Sequence, residues 1–183
     1  MSKEFALAAF KSLGTVGAVY PSSKYLARKM TKRVKRDLKS IVELGAGTGT
    51  ITSSIIEQAG KTCRINSFEI DSGLYVGLSS DPIFSRYDNL HFHLASAFDF
   101  RRYLDSAERP DLIISSLPLA ILPKPQVIRM LLDAKEVLRP GGVFVQYQYS
   151  PESFSMLKRI FSKVETSVEL RNIPPALIYT CSI

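Results

Sequence analysis

Apolar positions along this chain switch between a helical and a strand-like period. Phe5, Ala9, Phe10 and Leu13 recur at helical spacing among Lys3, Glu4, Lys11 and Ser12, which predicts a short amphipathic helix over residues 3–13. Gly14 and Gly17 break it, and Tyr20-Pro21-Ser22-Ser23 then offers a turn and a helix N-cap. From about Ser23 a second helix places Leu26, Met30 and Val34 on one stripe. Ile41-Val42-Glu43-Leu44 reads as a buried strand, followed by a glycine turn and a helix over residues 51–59. Further strands are expected at residues 64–70, 89–95, 109–119 (running into a proline turn) and 143–149. A helix over residues 125–138 turns Val127, Met130, Leu131, Ala134 and Leu138 inward, and Pro140-Gly141-Gly142 ends it. Another helix is expected over residues 151–162. Residues 164–170 and 176–182 are strand-like and are joined by Arg171-Asn172-Ile173-Pro174-Pro175. This alternation implies an α/β fold. Its doubly wound sheet has seven mainly parallel strands, is closed by an antiparallel hairpin and is preceded by a helical extension.

Composition changes that picture little, but charge changes it more. A chain of 183 residues with 45% hydrophobic and 22% charged residues is expected to form one globular domain around one core. No apolar run approaches the ~18–20 residues needed to cross a bilayer. Lys11 and Ser12 interrupt any signal-peptide core. Cys63 and Cys181 have neither metal-ligand spacing nor the arrangement of a disulfide framework, so they read as reduced, and no metal is expected. The net charge of +7 is concentrated: residues 1–40 hold ten Lys/Arg against Glu4 and Asp37, or +8, which leaves −1 for the remainder. Such a patch suits an anionic partner surface, either a membrane leaflet or nucleic acid. Lys24, Arg28, Lys29, Lys32, Arg33, Lys35 and Arg36 crowd the polar side of the second helix. That is the form of an interfacial helix, and equally of a surface helix docked on a sheet.

The candidate chemistry starts at Glu43-Leu44-Gly45-Ala46-Gly47-Thr48-Gly49. A strand, a glycine turn and a helix N-terminus make a cradle of backbone amides for a polar ligand, although the same sequence also suits a plain connection. The third glycine comes one residue too early for the dinucleotide fingerprint. Glu43, just inside the strand, suits a ligand carrying an ammonium group. Glu69 lies 24 residues after Gly45 at the next strand end, where a carboxylate can accept from both hydroxyls of a ribose. His91 and His93 sit in a strand and read as structural.

The glycine pattern resembles motif I of the class I S-adenosylmethionine-dependent methyltransferases, whose fold is Rossmann-like. Over nearly its full length the chain resembles the bacterial phospholipid N-methyltransferases, which methylate phosphatidylethanolamine. The likeness also rests on Gly17-Ala18-Val19-Tyr20-Pro21-Ser22-Ser23, Leu26-Ala27, Met30, Ser116-Leu117-Pro118-Leu119, Gln146-Tyr147-Gln148-Tyr149-Ser150 and Asn172-Ile173-Pro174-Pro175-Ala176. It implies an S-adenosylmethionine-binding catalytic domain over residues 41–183 and a basic amphipathic lid over residues 1–40. Glu43, Gly45, Gly47 and Gly49 are then expected at the methionine end of the cofactor and Glu69 at its ribose. Ser96, Ala97 and Phe98 are expected at the adenine, with Asp99 as a substitute acid. Ser116 is expected to line the crevice. Tyr147, Tyr149, Tyr179 and Tyr20 are candidates to face the methylated ammonium or relay its proton. Lys24 and Arg28 are candidates for the lipid phosphate. A cytoplasmic enzyme bound peripherally to the inner face of the membrane follows. Enzymes that methylate adenine or glutamine nitrogen carry Asn/Asp-Pro-Pro-aromatic where this chain has Ser116-Leu117-Pro118-Leu119. An RNA or protein methyltransferase with a nucleic-acid-binding arm is therefore the alternative, and a non-catalytic cofactor-binding or scaffold protein the second.

Overall fold

The computed structural model describes residues 23–183. The helix expected over residues 3–13, and Tyr20, lie outside that range. Within it, strands and helices alternate: α1 (Lys24–Met30), β1 (Ser40–Leu44), α2 (Thr50–Gln58), β2 (Arg64–Glu69), α3 (Ser72–Ser79), β3 (Leu90–Leu94) and β4 (Leu112–Ser115). They are followed by α4 (Lys124–Val137), β5 (Val143–Gln148), α5 (Phe154–Ile160), β6 (Lys163–Glu169) and β7 (Ala176–Ser182).

The seven strands form one sheet in the order β3-β2-β1-β4-β5-β7-β6. The first five run parallel, and β7 is antiparallel to both of its neighbours. Strand order reverses at β1, so the carboxyl ends of β1 and β4 part there and open a crevice. Alternating side chains send β1 into two cores. Val42 and Leu44 pack on the side of α4 and α5, whereas Ile41 packs with α1, α2 and α3. Such two-sided burial explains why the central strands read as continuous apolar runs.

Two elements depart from the expected pattern. α1 ends at Met30, yet Val34 is still buried, because a turn (Val34 N–H to Thr31 O, 2.8 Å) replaces the last helical turn. Thr31 stops the helix: its buried hydroxyl is shared with Ser54 Oγ (2.8 Å) and Gln58 Nε2 (2.7 Å) on α2. The second departure is α3, whose sequence, with two glycines and a contiguous apolar run, shows no helical stripe. Its local signal is Asp71, which caps the helix by accepting from the backbone N–H groups of Gly73 and Leu74. β6 lies at the rim of the sheet, and most of its side chains are exposed on both faces.

Candidate active site

Gly45, Gly47 and Gly49 all adopt positive φ (84°, 58° and 80°), a conformation that favours glycine. The backbone N–H groups of Gly45 and Ala46 both donate to Phe68 O at 3.0 Å, which ties the turn to the end of β2. Space around the three glycines differs. A Cβ on Gly49 would lie 2.7 Å from Leu78 Cδ2 and 2.8 Å from Phe84 Cζ, whereas one on Gly47 would meet nothing within 4 Å. Gly49 therefore serves packing, and Gly47 keeps a passage open. Glu69 is almost wholly buried at the edge of this passage. Its Oε1 accepts from the N–H groups of Ile70 and Asp71, and its Oε2 from that of Gly47, all at 2.8 Å. Three amides hold the carboxylate, and Oε2 retains a lone pair for a hydroxyl in the crevice.

Gly45, Phe68, Glu69 and Ile70 line a narrow slot together with the segment after β3. That segment contributes Ala95, Ser96, Ala97 and Phe98, and the β4–α4 loop contributes Leu117 and Leu122. An apolar slot with one acid fits a flat heterocycle joined to a sugar. The Ser96 hydroxyl accepts from Phe98 N–H (3.3 Å) and starts a 3-10 helix over Ala97–Tyr103. Asp99 turns away from the slot, lines a separate depression and pairs with Arg102 (3.5 Å), so it does not replace the acid expected at the adenine.

On the other side of the switch point, Ser116 N–H donates to Leu44 O, and the buried Ser116 Oγ has no partner. Gln146 and Gln148 both donate from Nε2 to Leu117 O, at 2.9 and 2.8 Å, and so fix the loop behind Ser116. Neither glutamine stood out as functional in the sequence. The available signal was two amides at alternate positions of an otherwise apolar strand. At the end of β5 the rings of Tyr147 and Tyr149 meet edge to face, with centroids 5.6 Å apart. Asn172, also unassigned from sequence, is 3% exposed and joins three segments. Its Oδ1 accepts from Ser23 N–H (3.0 Å), and its Nδ2 donates to Pro174 O (2.8 Å) and to the Tyr149 hydroxyl (3.4 Å).

Two sequence expectations change. Glu43 is 0% exposed and sits beneath α2, where Oε2 accepts from Thr52 Oγ1 and Ser67 Oγ at 2.7 Å each. The strand's alternation turns it away from the slot, so it does not touch a ligand there. Burial pushes its pKa up to about 7, the two hydroxyls oppose that rise, and the nearby Glu69 charge adds to it. Tyr179 is a core ring, 1% exposed and stacked on Phe154 at 5.8 Å, and burial raises its pKa. It therefore offers no face to an acceptor. Tyr20 lies outside the described residues. His93 behaves as expected of a structural residue: its ring stacks on Phe68 (4.7 Å) and its Nε2 meets Asn66 Oδ1 (2.9 Å).

No protein-family model matches the chain. The ornithine lipid N-methyltransferase of Singulisphaera acidiphila is 30% identical over 184 aligned positions, which cover 94% of this chain and 91% of that relative. Among solved structures, a methyltransferase from Streptococcus mutans in complex with S-adenosylhomocysteine superposes with a TM-score of 0.69. It is 16% identical, and the match covers 86% of this chain and 96% of the other. The N-methyltransferase NodS of Bradyrhizobium japonicum, also with S-adenosylhomocysteine, gives 0.67 at 15% identity, covering 86% of each chain.

Proposed function

This chain belongs to the class I S-adenosylmethionine-dependent methyltransferases, and from that premise we propose that it methylates the amine of a membrane-lipid headgroup. The full-length similarity to a lipid N-methyltransferase carries this reading. The cationic α1 segment supports it. From Lys24 to Arg36 there are seven Lys/Arg and no acid, and six of the seven are exposed. Among the described residues no helix is long and apolar enough to cross a membrane, so the lipid is met at a surface.

The crevice fits the cofactor. Gly47 leaves an open passage, Ser116 Oγ is a buried polar atom without a partner, and the slot beside Glu69 is apolar. Bound S-adenosylmethionine supplies a methyl group already activated by its sulfonium, so the protein's task is alignment and exclusion of water. Gly45 and Gly47 would let the methionine end lie close against the backbone, Gly47 by leaving its side of the turn open. Glu69 Oε2 accepts from a ribose hydroxyl, and Ser96, Ala97 and Phe98 frame the base. The acceptor ammonium gives a proton to solvent water, relayed by a tyrosine hydroxyl at the crevice edge, before attack, and the nitrogen carries charge again after each methylation. Tyr147 and Tyr149 face that cation with aromatic surface, and Ser116 Oγ accepts from it. Lys24 and Arg28 pair with headgroup anions at the membrane's cytoplasmic face.

The test is transfer of labelled methyl to vesicles containing anionic lipid and either ornithine lipid or phosphatidylethanolamine, with total RNA in parallel. Label in the lipid extract is expected. Label confined to RNA would replace this reading with that of a nucleic-acid methyltransferase.

A further inference from the structure

The loop between β6 and β7 carries the two most exposed large apolar side chains among the described residues, Leu170 (74%) and Ile173 (81%). Scattered exposed hydrophobics are ordinary on a protein surface. These two are three residues apart on a loop with fixed ends. Asn172 between them is buried and bonded to Ser23, Pro174 and Tyr149. The buried Glu169 at the loop's start accepts from Arg171 N–H at 2.9 Å and from Arg171 Nε at 3.0 Å. Ile173 and Leu170 are therefore held outward by a braced backbone. Val168, 44% exposed, adjoins them at the end of β6.

Cations surround this apolar tip. The Arg171 guanidinium lies over the Tyr25 ring at 4.3 Å, and Lys24 Nζ is 5.5 Å from the same ring. Lys29 Nζ donates to Val168 O. The loop's acid, Glu169, is neutralised by Arg171, whose side-chain and backbone hydrogen bonds hold its carboxyl below the usual range. β7 begins where β5 ends, pairing Leu177 with Gln148, so the loop stands at the same edge of the sheet as the crevice.

We propose that the β6–β7 loop is a membrane wedge: Leu170 and Ile173 enter the acyl layer of an anionic leaflet while Lys24 and Lys29 pair with its headgroups. This deepens the lipid-methylation reading and rests on it for the choice of a lipid surface as occupant. Charge complementarity supports the same choice, because a cationic rim around an apolar tip matches an anionic interface over hydrocarbon. The wedge would set the crevice edge, with Tyr149, facing the headgroup plane.

The chain contains no tryptophan, so Ile173→Trp installs a single indole reporter. On vesicles of phosphatidylglycerol and phosphatidylethanolamine its emission is expected to shift to the blue and to be quenched by brominated acyl chains. The full chain carrying Ile173→Asp should bind those vesicles about tenfold more weakly, since insertion of one large aliphatic side chain is lost. Its melting temperature and S-adenosylhomocysteine binding should be unchanged. An indole that stays solvent-exposed on vesicles that demonstrably bind the protein overturns the wedge. So does emission already blue without lipid, or blue only at high protein concentration, because then the protein itself covers the loop. The outcomes separate the two readings. Insertion without methyl transfer to lipid sinks the methylation reading alone, and methyl transfer with an unshifted indole sinks the wedge alone.

Discussion

At the scale of single residues, identical glycines in one short turn have different work to do. Gly47 and Gly49 both sit at positive φ, so alanine costs each about 1–2 kcal/mol from backbone strain. At Gly47 nothing stands in the way of the added methyl except the space a ligand takes. Gly47→Ala should remain folded and lose S-adenosylhomocysteine binding by titration calorimetry. Gly49→Ala also forces its methyl into Leu78 and Phe84. It should lower the unfolding free energy obtained from urea titration by about 3 kcal/mol or more before binding can be measured. The sequence made all three glycines conspicuous, but the difference between them is tertiary, because Phe84 lies 35 residues beyond Gly49. The same limit applies to Glu43. Its place in the motif is plain from the sequence, whereas the helix that covers it is visible only once the chain is folded. That Ser96 and Phe98 line the slot was legible because they follow a strand end.

At the scale of elements, the central strands β1, β4 and β5 announced themselves as largely apolar runs, and α4 by its stripe and its Pro-Gly-Gly stop. What escaped notice were elements whose cause is a cap or a tie rather than a period: α3, begun by Asp71, and the early end of α1 at Thr31. Asn172 belongs to this group. Flanked by arginine, isoleucine and prolines it reads as turn composition, yet its carboxamide joins α1, the β6–β7 loop and the end of β5. Removing it leaves Ser23 N–H and Pro174 O without this partner. Asn172→Ala should therefore lower stability by about 1–3 kcal/mol in chemical denaturation. Asn172→Asp still accepts from Ser23 but sets a buried carboxylate oxygen against Pro174 O, so it should be at least as destabilised as the alanine variant.

At the scale of the whole molecule, the doubly wound sheet and its hairpin follow from alternation and connection rules, so the fold class could be read from the sequence, whereas the strand order came from the structure. The balance between folding and pH could not, because it depends on burial. Glu43 has its pKa raised to about 7 in the folded chain, from an ordinary value of 4.5. The folded state therefore holds this proton more tightly than the unfolded state. The resulting stability is fully present below the ordinary value, falls as pH rises toward 7 and is gone above it. Across that window the parent should lose a few kcal/mol relative to Glu43→Gln, which has no proton to release. Urea midpoints of the two proteins at about pH 5 and pH 8 would check this, and a gap that does not change with pH would refute it.

The strand at the rim has a consequence of its own. Among the described residues, β6 ends the sheet with backbone groups on one side that no further strand takes up, and such an edge invites a second copy to add on. Its exposed positions include Lys163, Glu165, Thr166 and Ser167, with Glu165 paired to Lys163 and Arg33. A strand laid alongside would have to strip water from these charges and gain little apolar contact in return. The polar rim thus disfavours the zipping of copies edge to edge into fibres.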